Sequence, residues 1–114
     1  MLSLFLAAKN SYSNNISNTN NLTSEEILQA NSENSSQLSI SNNSLFSFSI
    51  QNNDYVRFSI YNVYGQEIAV LIDDYKKIGE FGAELKSANL KPGIYYYRLV
   101  VGKYKEVRRL EIIS

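Results

Sequence analysis

The chain has no cysteine and no histidine. The first absence excludes a disulfide framework, thiol catalysis and thiolate metal sites. The second removes the commonest general base and the commonest metal ligand, so a Ser-His-Asp arrangement is impossible. An excess of either charge is also missing, because 11 Lys and Arg balance 11 Asp and Glu. Little is left to neutralise phosphates, which argues against a nucleic-acid partner. The halves differ only slightly, with net −2 over residues 1–50 and +2 over 51–114. There is no long apolar run. Met1–Ala8 is apolar and ends in small residues, but it is far too short to span a bilayer, and no basic segment precedes it as a secretory signal requires. It reads either as the tail end of a signal whose beginning is missing or as an arbitrary start. These absences point away from an enzyme, and no cofactor, metal or membrane-spanning segment is expected.

Core-forming residues are scarce in the first half, where Asn and Ser supply 23 of residues 1–50. Residues 10–44 are of low complexity, and such side chains compete for backbone hydrogen bonds and favour coil. Too few apolar groups are present there to offset the entropy of ordering. One local exception is Thr23-Ser24-Glu25-Glu26, a capping-box pattern that leads into a short helix through Ile27-Leu28. The expected organisation is a largely disordered lead, residues 1–37, and one folded domain, residues 38–114. A core of that size lies near the lower limit for independent folding.

What is present from residue 45 onward is a period of two. Phe46, Phe48 and Ile50 share one strand face, and Val56, Phe58 and Ile60 share another. The turn cluster Gln51–Asp54 between them predicts that these two strands pair as a hairpin. Asn62-Val63-Tyr64-Gly65 is the next turn, with Gly65 in the left-handed position. A third strand follows over 67–72, then a polar loop over 73–79. Phe81, Ala83 and Leu85 mark a fourth strand. Ser87–Gly93 is a crossover turn in which Leu90 is a buried plug and Pro92-Gly93 a strong turn signal. The fifth strand runs over 94–101, and Gly102 turns the chain into the last, 104–113. Short strands at regular spacing with no long helix indicate an all-β sandwich.

Candidate chemistry is sparse. Asp73-Asp74 falls short of the six to eight oxygen ligands typical of calcium. Tyr95, Tyr96 and Tyr97 suggest an aromatic platform for sugars, but alternation puts Tyr95 and Tyr97 on one face and Tyr96 on the other. Large amphipathic residues of this kind also serve the strands of a sandwich. An adhesion or carbohydrate-binding module is therefore the alternative function. Arg98, in an otherwise apolar strand, is expected to lay its stem on apolar surface and to pair with Glu84 or Glu67. Arg108 and Arg109 are expected on opposite faces of their strand.

Three ordered blocks carry a resemblance. They are Val56–Ile68 with Tyr61-Asn62 and Gly65-Gln66-Glu67, Ser87–Leu99 with Leu90, Gly93, Tyr95 and Arg98-Leu99, and Gly102 followed by Arg108-Arg109-Leu110-Glu111-Ile112-Ile113. With them, residues 45–113 resemble the type A C-terminal sorting domain of the type IX secretion system of Bacteroidetes-like bacteria. The Ig-like domain of the flagellar hook-capping protein is similar. The resemblance implies a small Ig-like antiparallel β-sandwich without an active site. It implies export through the periplasm to the cell surface or medium, with the outer-membrane secretion machinery and a surface transpeptidase as partners. Partner recognition then falls on Gly65, Leu90, Gly93, Tyr95, Arg98, Arg108, Arg109, Leu110 and Ile112. One departure is that the family's usual Tyr-Pro-Asn-Pro-Phe opening is replaced by Leu38–Ser44, which lacks proline.

Overall fold

The structure, a computed structural model, describes residues 20–32 and 37–113 and, by backbone alone, residues 2–5. Its elements are β1 (Leu2–Phe5), α1 (Ser24–Ala30), β2 (Leu38–Ser41), β3 (Leu45–Ile50), β4 (Asp54–Tyr61), β5 (Glu67–Lys76), β6 (Gly79–Glu84), β7 (Gly93–Val101) and β8 (Tyr104–Ile113), with a 3₁₀ turn at Leu85–Ala88. They form a three-stranded sheet of order β1-β3-β6 and a five-stranded sheet of order β2-β8-β7-β4-β5. The sheets close on one core, built from Phe46, Phe48 and Ile50 of the first and Val56, Phe58, Ile60, Tyr97, Leu99, Leu110 and Ile112 of the second. The all-β sandwich read from the period-two pattern is the fold observed.

The faces are as expected, but one pairing is not. β3 and β4 do not form a hairpin. β3 pairs with β6, while β4 lies between β5 and β7. Alternation says which side of a strand is apolar, not which strand supplies its hydrogen bonds. In a hairpin the two apolar rows would lie side by side. Here the chain arches between the sheets and the rows meet face to face, with Phe46 and Phe48 ring centroids 5.0 and 4.9 Å from that of Phe58. Each row thereby removes the other from water.

Two boundaries differ from the sequence reading. The segment 73–76, expected as loop, continues β5: Asp73, Asp74, Tyr75 and Lys76 lie opposite Arg57, Val56, Tyr55 and Asp54. β5 is a sheet edge, where charged residues are tolerated and discourage pairing with other chains. Its register slips at Phe58/Ser59 and Ile60/Tyr61, bulges that alternation cannot reveal. Leu85 leaves the fourth strand and opens the 3₁₀ turn, yet it stays fully buried.

The sheets are not purely antiparallel. β2 runs parallel to β8, and β1 parallel to β3. β1 comes from the apolar start and β2 from the Asn/Ser-rich portion, and both add to sheet edges, with long connections to their partners as parallel pairs require. Leu38–Ser41 thus forms an opening strand without the family's prolines. Part of the lead read as largely disordered is also ordered, and it includes the short helix expected after the Thr23–Glu26 capping box. Residues 20–32 carry α1 and lie against the five-stranded sheet, with Leu22 and Ala30 buried beside Tyr61 and Tyr96. Residues 6–19 and 33–36, also read as disordered lead, lie outside the described residues, and of the apolar start only residues 2–5 are described.

Candidate functional site

Cross-strand partners share a face. Three rows therefore cross β4, β7 and β8 on the side away from the core: Tyr61–Tyr96–Arg109, Ser59–Arg98–Val107 and Arg57–Val100–Lys105. Residues 20–32 cover the middle of this face. At the start of α1 the capping box is complete: Glu26 N–H donates to Thr23 Oγ1 (3.1 Å), and Thr23 N–H donates to Glu26 Oε1 (2.8 Å). That reciprocal pair satisfies donors a helix start leaves open. It also holds the Glu26 carboxylate where the sheet can reach it.

Two sheet cations meet that carboxylate. Arg98 Nη1 lies 3.0 and 3.1 Å from its two oxygens, and Lys105 Nζ lies 2.9 Å from Oε2. Arg98 also donates to the Asn20 carbonyl (3.1 Å) and sits over the Tyr61 ring, 5.1 Å from its centroid. Glu26 is buried, only 5% exposed. Burial pulls its carboxyl upward, but the Thr23 N–H, Lys105 and Arg98 together outweigh it and hold it below the usual carboxylate value. The segment is pinned elsewhere too. Leu22 N–H donates to the Gly65 carbonyl (2.8 Å), Glu67 N–H to Asn21 Oδ1 (3.1 Å) and Asn31 Nδ2 to the Tyr96 hydroxyl (2.7 Å).

Arg98 was expected to pair with Glu84 or Glu67. Glu67 is already held by Arg57 in a two-pronged pair (3.0 and 2.8 Å), and Glu84 belongs to the other sheet. Arg98 turns instead to the acid that α1 supplies. Sequence reading found Glu26 only as a cap. The signal for its second role is an arginine with no acid among its cross-strand neighbours, which are Ser59 on β4 and Val107 on β8.

The other expected recognition residues have mostly structural surroundings. Gly65 takes φ 82° in the β4–β5 turn, where Asn62 Oδ1 accepts from the N–H groups of Tyr64 and Gln66. A Cβ there would stand 3.0 Å from Ile27 Cδ1, so the turn also makes room for the covering segment. Leu90 is the buried plug predicted, and Gly93 opens β7 opposite Ile112. The Tyr95 ring packs against the core and its hydroxyl donates to the Lys91 carbonyl (2.7 Å). Leu110 and Ile112 are buried. Arg109 donates to Gln37 Oε1 (2.6 Å) on the outer face, while Arg108 on the other face pairs with Glu106 (3.2 Å), so the two make no continuous patch.

Tyr95, Tyr96 and Tyr97 do not form one exposed platform, and Tyr96 is buried on the outer side. Tyr97 is 0% exposed, and its side of β7 is the core side. Its hydroxyl donates to Glu106 Oε2 (2.6 Å), and Tyr104 donates to Oε1 (2.9 Å). Burial, then Glu106, pushes both phenols up, Tyr104 to about 12. Asp73 and Asp74 alternate across β5 and do not converge, Asp73 receiving the Tyr55 hydroxyl. Among the described residues there is no group of acidic side chains able to hold a metal, and no helix long and apolar enough to cross a membrane.

A family model described as "Secretion system C-terminal sorting domain" matches residues 34–113. No curated protein and no solved structure matches the chain. That span takes in β2 to β8, all of the five-stranded sheet and the two strands that close the core over it. The match runs through the same ordered blocks, from the opening strand to the aliphatic end of β8, and by it the chain belongs to the secretion system C-terminal sorting domain family, the sorting signals of type IX secretion.

Proposed function

We propose that this chain is a non-catalytic export tag that hands a cargo to the outer-membrane type IX machinery from the periplasm and is then removed by a surface transpeptidase. Family membership itself makes it a sorting signal that engages the secretion machinery and directs export to the cell surface or the medium. The observation that carries the finer reading is the match over residues 34–113. It takes in seven strands of the sandwich, β2 to β8, and a folded surface of this kind is something a translocon can grip.

The proposed signal-bearing domain is residues 38–114. Gly65, Leu90, Gly93, Tyr95, Leu110 and Ile112 serve recognition by fixing the shape of the turns and of β8. Arg98, Arg108 and Arg109 supply its charge. The absence of His and Cys from the sequence supports a tag without chemistry of its own.

The test is a periplasm-directed reporter fused to the complete 114-residue chain in a type IX-competent host. The expected result is reporter at the surface or in the medium, and retention in an otherwise identical strain lacking the translocon. Equal delivery in both strains, or retention in both, overturns the reading.

A further inference from the structure

The covered face of the five-stranded sheet has a charge pattern that calls for an occupant. On β7 and β8 the three rows present Arg98, Lys105 and Arg109 outward, interleaved with Tyr96, Val100 and Val107. Of the acids on this side of the sheet, Glu67 and Asp73 of β5 are claimed by Arg57, at 2.8 and 3.8 Å, and Glu111, at the far end of β8 from Lys105, accepts from the Ser39 hydroxyl (3.3 Å). Among the described residues, Glu26 is the acid that pairs with Arg98 and Lys105. It arrives on a helix of seven residues, too short to be stable alone in water. The segment is therefore ordered by the face it covers.

We propose that this face, centred on Arg98 and Lys105 and floored by Tyr61, Tyr96 and Val107, is a binding surface for an acidic peptide segment of the secretion machinery, and that residues 20–32 fill it in cis as a releasable strap. The proposal rests on the sorting reading for the identity of the partner, not for the chemistry of the surface. The strap shows the form of the ligand: one carboxylate on the two cations, and the apolar side chains Leu22 and Ala30 in one cluster with the two tyrosine rings. A tethered occupant holds the face through its high effective concentration rather than through high affinity, so an untethered competitor need bind only moderately better to displace it.

The probe is a labelled synthetic peptide of residues 20–32. Glu26→Ala in the 114-residue chain removes the strap's ion pairs and weakens its hold while leaving Arg98 and Lys105 in place. Ala30→Glu is a second route, because it lodges a charge against Tyr61 and Tyr96 from the strap side alone. Hydrogen exchange across β4 and β7 reports that the sandwich is intact. The expected result is that the peptide binds both variants roughly tenfold more tightly than the wild-type chain, where the cis occupant competes. A peptide carrying Glu26→Gln should bind roughly tenfold more weakly, the loss of about one charge-assisted pairing.

Equal binding of the two peptides overturns the proposal, as does equal binding to wild type and variants, or no binding to an intact sandwich with the strap released. A concentration-dependent dimer of the wild-type chain with exchanged straps assigns the face to a second copy and also overturns it. In the reporter assay, Glu26→Ala should quicken export. Slower or unchanged export rejects the machinery as partner. Failure of wild-type export rejects the sorting reading and leaves the peptide result to stand by itself.

Discussion

Phe58 stands where three other rings meet: Phe48 at 4.9 Å, Phe46 at 5.0 Å and Tyr97 at 5.5 Å between centroids, all tilted or edge-on. Such pairs add about 0.5–1.5 kcal/mol each beyond the area they bury. Phe58→Ala should therefore cost about 3–5 kcal/mol, a large part of the roughly 5–15 kcal/mol that holds a domain together. Urea titration followed by far-UV circular dichroism should show a chain that is largely unfolded or close to it. The aromatic identity and inward face of Phe58 were legible from alternation. That Phe46 and Phe48 come from the opposite sheet was not, because facing depends on how the chain arches between strands. At Arg98 the limit was similar. Its need for an acid followed from burial beside apolar neighbours, but the acid lies 72 residues away in sequence.

At the scale of elements, the β4–β5 turn joins two structures. Gly65 adopts a backbone conformation that costs other residues about 1–2 kcal/mol. Its missing side chain also leaves room for Ile27 and Leu22 of the covering segment. Gly65→Ala should destabilise the chain by about 1–2 kcal/mol on the first count. On the second it should loosen the segment, so faster exchange of the Leu22 N–H and of the α1 amides accompanies the loss. Unchanged exchange there would mean that Ile27 moves aside freely. The turn was readable because Asn-x-x-Gly has a local mechanism. The extension of β5 through Asp73–Lys76 was not, because those residues are strand only by virtue of what stands opposite them on β4. The same holds for β2: four residues of Leu-Ser-Ile-Ser become a strand by pairing with Leu110–Ile113.

For the whole molecule, the joint between covering segment and sandwich is in part electrostatic, and that part is sensitive to acid. Glu26 has a lowered value in the docked state, so the docked state binds its proton less readily than the free segment does. The stabilisation is complete above the ordinary carboxylate value of 4.5 and is lost as pH falls below it and through the lower docked value. Amide exchange of residues 24–31 should lose protection as the pH is taken below 4.5, ahead of β4 and β7, and Glu26→Gln should abolish that pH dependence. Loss of protection in step with the sandwich would show instead that the two unfold as one unit. The sequence by itself determined that the second half is a two-faced β structure, which faces of its strands are apolar, where Gly65 and Gly102 turn it, and that no His or Cys chemistry exists. These follow from local rules of period, turn geometry and side-chain type. Only the tertiary structure decided which strands pair, that an Asn/Ser-rich stretch lends a helix to the sheet, and that Glu26 answers Arg98 and Lys105. Partner choice is set by contacts between residues far apart in the chain, where burial and charge are satisfied together, and no local pattern encodes it.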